Sequence, residues 1–93
     1  MTLSPSQIVV AAKDQLSCDL GGEEVILDLE SGVYFGLNPV GSRIWSLINE
    51  SRSVQSIVDV LLTEYQVDVD ECKKEVIDFL TDLAEHGLVK IVP

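Results

Sequence analysis

"SGVYFGLNPVGSRIW", residues 31–45, is the stretch on which the fold turns. Val33–Leu37 reads as a strand, because branched and aromatic residues that suit a pleated surface run together without a charge. Asn38-Pro39 ends it and opens a helix. Asparagine is a good N-cap, and proline at the first helical position gives up no hydrogen bond. Before this hinge the apolar residues recur every second position; after it they recur at helical spacing. The chain therefore reads as strands followed by helices, an α+β arrangement.

Upstream, "EEVILDLE" (23–30) places Val25, Leu27 and Leu29 on one side and Glu24, Ile26, Asp28 and Glu30 on the other. In "QLSCDL" (15–20), Leu16, Cys18 and Leu20 alternate with polar residues. A two-residue turn at Gly21-Gly22 pairs Cys18 with Val25 and Leu16 with Leu27. Glu30-Ser31-Gly32 fits a three-residue loop with Gly32 in the left-handed conformation. That loop pairs Leu29 with Val33, Leu27 with Phe35 and Val25 with Leu37. The expectation is a three-stranded antiparallel sheet in the order 1-2-3 with one shared apolar face. The third strand is then an edge.

Downstream, Val40, Ile44, Leu47 and Ile48 make one helical face, with Trp45 on its flank. Ser53 caps a second helix whose face is Val54, Ile57, Val58, Leu61, Leu62 and Tyr65. Asp68 and Glu71 form a capping-box-like pair at the start of a third helix, and Gly87 stops it after His86. Val69, Cys72, Val76, Phe79, Leu80 and Leu83 share a face there that Ile77 and Ala84 widen. So broad an arc suggests two neighbours, the core and a second surface, although a helix sandwiched within the domain would show the same pattern. The tail "LVKIV" (88–92) is expected to be extended and to pair with "IVVAA" (8–12). Residues 1–93 read as one domain, with 1–14 as an extended N-terminal segment.

Sixteen acidic and six basic residues give a formal charge of −10. A nucleic-acid binder needs a basic face to displace counterions from phosphates, so the acidic surface argues against a winged-helix transcription factor; a basic or neutral peptide suits this surface better. The N-terminus has no basic region followed by an apolar run, and no stretch approaches the roughly 20 apolar residues of a membrane span. A cytoplasmic location is expected. Cys18 and Cys72 lack metal-ligand spacing and read as reduced core residues. His86 is the one histidine and sits where a helix C-terminus favours a cation. Asp68, Asp70 and Glu71 lack the glycine and distal glutamate of a calcium loop. There is no nucleophile motif and no phosphate-cradling loop. No catalytic residue, metal site or cofactor is expected, and the chain reads as a non-enzyme.

The uncharged aromatic edge then acquires meaning. Natural edge strands are blunted by lysines, prolines or inward charges, and "GVYFGLN" has none. Such an edge either is covered within the chain or is kept open to accept another strand, gaining ladder hydrogen bonds and pockets for alternate side chains. The plainer alternative makes Phe35 and Leu37 core residues and Tyr34 a cover for the outer face.

The order of these motifs resembles the PqqD-like family, the precursor-peptide recognition elements of ribosomally made, post-translationally modified peptide pathways. The residues that carry the resemblance are Tyr34, Leu37, Asn38, Ile44, Trp45, Val54, Ile57, Leu61, Tyr65, Val76, Phe79, Leu80, Leu83, Gly87 and Leu88. It covers about residues 15–92. The resemblance implies a winged helix-turn-helix-like fold: a three-stranded antiparallel sheet followed by three helices. It implies that a precursor's leader peptide joins as a fourth antiparallel strand beside strand 3. The site so implied is Val33, Tyr34, Phe35, Gly36 and Leu37 on the edge, faced by Lys73, Val76, Ile77 and Leu80 on helix 3. A chain of this kind looks most like the stand-alone leader-binding protein of lasso-peptide pathways. It would deliver the leader to a transglutaminase-like cysteine protease and, downstream, to a cyclase. The alternatives are a PqqD-like peptide chaperone for a radical-SAM enzyme and an acidic protein–protein adaptor.

Overall fold

The computed structural model describes residues 3–12, 15–20, 23–29, 31–32 and 34–92, with backbone alone at 15–20 and 23. Four strands come first: β1 (Ile8–Ala11), β2 (Gln15–Leu20), β3 (Glu23–Asp28) and β4 (Tyr34–Leu37). Helix α1 (Pro39–Leu47) follows, then the two-residue β5 (Arg52–Ser53), α2 (Val54–Glu64), α3 (Val69–Glu85) and β6 (Val89–Val92). The expected α+β, winged helix-turn-helix-like succession is present.

Each helix begins where a side chain can satisfy an orphan N–H. Asn38 Oδ1 accepts from Gly41 N–H at 2.7 Å, Ser53 Oγ from Ser56 N–H at 3.1 Å and Asp68 Oδ2 from Glu71 N–H at 3.2 Å. Gly87, at φ +75°, ends α3, and Leu88 N–H donates back to Leu83 O at 2.9 Å.

The strands form two sheets rather than one. β2-β3-β4 is the expected antiparallel meander, and β5-β1-β6 is a second sheet. Its β1–β6 pairing joins the "IVVAA" and "LVKIV" segments, with Val9 opposite Ile91. β5 was not expected; it is held because Ile8 and Val9 pair with Ser53 and Arg52 just before α2 begins. The N-terminal segment is therefore part of the core, with Leu3 and Val9 buried. They join Ile26, Leu37, Ile44, Trp45, Ile48, Ile57, Val58, Leu61, Val76, Leu80, Leu83 and Leu88 in one cluster. Val69, expected on the core face of α3, is exposed.

The β2–β3 register is the expected one, Cys18 opposite Val25 and Leu16 opposite Leu27. The Gly21-Gly22 turn, the β4 start at Val33 and the side chain of Cys18 lie outside the described residues. The β3–β4 register corrects the expectation by one residue: Ile26 faces Phe35 and Leu27 faces Tyr34. The reason lies in the loop. β3 ends at Asp28, whose carbonyl accepts from Gly32 N–H at 2.8 Å, so Leu29 leaves the ladder for the turn, where it is 55% exposed. Gly32 does take positive φ, at +73°. Because side chains alternate with period two, this slip decides which face is buried. Ile26, expected outside, is fully buried beside Phe35 and Leu37. Val25 and Leu27, expected inside, are half-buried on the other face.

Candidate functional site

β4 is the edge of its sheet, with β3 on one side and no strand on the other among the described residues. Alternate residues of an antiparallel edge direct their N–H and C=O groups away from the sheet, as a template for another strand. Its side chains split by parity. Leu37 is buried and Phe35 half-buried against the core, whereas Tyr34 is 69% exposed and Gly36 has open space above it. The edge thus combines free backbone with a large exposed ring.

The wall beside this edge comes from one flank of α3. The Phe35 ring meets His86 edge-on, with centroids 4.8 Å apart and planes at 65°. His86 is held for this contact because its Nδ1–H donates to the Asp82 carbonyl at 2.8 Å. Two helical turns earlier, Phe79 reaches the first turn of α1. A Cβ built on Gly41 would lie 3.2 Å from both Phe79 Cε1 and Asn38 Oδ1, so a larger residue there would require the ring or the cap to give way by a few tenths of an ångström. At 3.6 residues per turn, Phe79 and His86 lie on the same side of α3.

The helix residues expected to form this wall differ in burial and direction. Val76 and Leu80 are 1% and 0% exposed and belong to the core. Lys73 and Ile77 are half-buried about 120° and 160° round the helix from Phe79. Of the expected site residues, Tyr34, Phe35, Gly36 and Leu37 sit together on the edge, and Val33 lies outside the described residues. Phe79 was assigned only to the core and His86 only to the helix end. Their seven-residue spacing, with small Gly41 two residues after Pro39, is the signal that pairs them with β4 and α1.

Beyond Leu37 the edge runs into a groove between α1 and α3. It has a volume of about 290 Å³ and is lined by Asn38, Val40, Gly41, Ile44, Glu75, Asp78 and Phe79. A smaller apolar cavity of about 60 Å³ shares Val40, Ile44 and Glu75 with it and reaches Cys72 and Tyr65. Burial, reinforced by the nearby Glu75 charge, pushes the Cys72 thiol up from its ordinary value, which makes it a poor nucleophile. No group of three His, Cys, Asp or Glu side chains among the described residues is placed to hold a metal ion. No described helix is long and apolar enough to cross a membrane.

Residues 23–89 match the family described as coenzyme PQQ synthesis protein D (PqqD). Among solved structures, TbiB1 in complex with the TbiA(β) leader peptide is 40% identical and superposes with a TM-score of 0.78 over 87% of this chain and 94% of that one. A lasso peptide synthetase B1 complexed with its leader peptide has the same TM-score at 22% identity, over 91% of this chain and 98% of that one, a likeness of fold. No curated protein sequence matches significantly.

Proposed function

Since the chain belongs to the PqqD family, we propose that it is a leader-peptide recognition protein that captures a precursor's leader by strand addition on the open side of β4. The single observation that carries this reading is the uncharged, unpaired β4 edge with its exposed Tyr34, in a chain 40% identical to a protein solved with a leader peptide. The incoming strand gains backbone hydrogen bonds from β4. Its side chains of one parity meet Phe79 and His86, and those of the other lie beside Tyr34. The binding residues are Val33, Tyr34, Phe35, Gly36 and Leu37, now joined by Phe79 and His86 on α3. The protein contributes binding and presentation, not bond chemistry. The leader is handed to a separate protease of the transglutaminase-like cysteine class and then to a cyclase, as in lasso-peptide biosynthesis. One domain spanning residues 1–93, working in the cytoplasm, suffices for this task.

The test is titration of the labelled chain with synthetic TbiA(β) leader peptide, observed at each amide. Shifts at Tyr34–Leu37 and around Phe79 and His86 support strand addition. Binding that leaves those amides unmoved discards it.

A further inference from the structure

The α1–α3 groove has a floor and a rim of different chemistry. Val40, Ile44 and Phe79 supply an apolar floor, and Glu75 and Asp78 stand at the rim on successive turns of α3. Arg43 pairs with Glu64, and no described lysine or arginine pairs with Glu75 or Asp78. Of the α3 lysines, Lys73 lies on another side of the helix, and Lys74, four residues before Asp78, shares its side but makes no described ion pair with it. Like charges three residues apart weaken a helix, so Glu75 and Asp78 repel one another at a small cost that no described ion pair offsets.

A narrow apolar trough edged by carboxylates fits a long side chain that is aliphatic along its stem and cationic at its tip. The groove is also continuous with the proposed strand site, because Asn38 both follows the last β4 residue and lines it. Direction decides which part of the peptide arrives there. β4 runs from Tyr34 to Leu37, so an antiparallel peptide passes Leu37 first, and the residues preceding its paired stretch lie beside Asn38 and Gly41.

We propose that the groove receives a lysine or arginine located just before the leader's paired strand, its stem on Val40, Ile44 and Phe79 and its charged head between Glu75 and Asp78. This rests on the leader-binding reading above and adds a charge requirement to it. The partner is thereby a leader with a cationic N-terminal flank, complementary to a chain of net charge −10.

The probe is the TbiA(β) leader peptide, synthesised as a panel that carries lysine, norleucine or glutamate at each position preceding the paired stretch. Norleucine keeps the stem and removes the charge. At one position lysine is expected to bind about fivefold tighter than norleucine, with glutamate weaker than both. In the Glu75→Gln/Asp78→Asn variant the lysine advantage is expected to fall to about one, while the norleucine peptide binds as before. Salt should reduce the advantage in the parent protein as the Debye length shortens. If every peptide binds at β4 and lysine never exceeds norleucine, the cationic pocket is wrong and strand addition stands. A lysine preference that survives the double variant also overturns it. If no panel member perturbs the β4 amides, both readings fall together.

Discussion

At the scale of single residues, Tyr34 and Ile26 separate binding from folding. Tyr34 is 69% exposed, so Tyr34→Ala should change stability by no more than about 0.5 kcal/mol while weakening leader affinity by about tenfold. Calorimetry beside thermal unfolding reads both quantities. Ile26 is fully buried, and Ile26→Ala should cost about 2–5 kcal/mol in urea unfolding. Leu29→Ala, at an exposed turn, should be close to neutral. A reversed order of these two costs would restore the register expected from alternation. Asn38→Ala removes the cap that accepts the Gly41 N–H and should cost about 1 kcal/mol. His86→Ala leaves the α3 cap backbone in place but removes the ring against Phe35, so its effect should show mainly in peptide affinity.

At the scale of elements, the order of strands and helices, the caps and the β2–β3 register were all legible, because each rests on local chemistry. Asn38, Ser53, Asp68 and Gly87 mark ends that backbone hydrogen bonding demands. The β3–β4 register was not legible. It depends on whether Leu29 belongs to the strand or the loop, and a leucine fits an apolar alternation equally well either way. The wall beside the edge was only partly legible for a related reason. Periodicity groups Val76, Leu80 and Phe79 on one broad arc but does not say which rim of the arc faces β4. β5 was invisible because two residues carry no pattern. Between α1 and α2, the Arg43 guanidinium holds Glu64 below the usual carboxylate range, mainly through hydrogen bonds of 2.7–3.1 Å. A depressed carboxylate contributes stability above its unfolded pKa and loses it as pH falls through its folded pKa. The coupling in an Arg43→Ala/Glu64→Ala double-mutant cycle should therefore be small but measurable near pH 7 and vanish in acid below the usual glutamate range. A coupling unchanged at low pH would show that packing, not charge, joins these helices.

At the scale of the whole molecule, the strands form two sheets, and among the described residues β4 is the edge strand that carries no charge. β6, at the edge of the other sheet, carries Lys90 in its middle, a residue that discourages pairing. The net charge of −10 opposes self-association through β4 and favours a basic partner. Self-repulsion should also make the free protein more heat-stable by a few degrees as ionic strength rises from about 0.01 to 0.15 M, where the Debye length shortens from about 30 to 8 Å. Leader affinity should move the opposite way over the same range. Opposite salt responses of stability and affinity would show that the acidic balance serves recognition at some cost to the unbound fold.

The measurement that bears most directly on strand addition is amide-resolved hydrogen exchange of the chain with and without TbiA(β) leader peptide. Strand addition predicts new protection on alternate residues of Tyr34–Leu37, where the open N–H groups acquire carbonyl partners, with little change along β6. Protection appearing instead at Val89–Val92, or saturable binding with no added protection on β4, would contradict it.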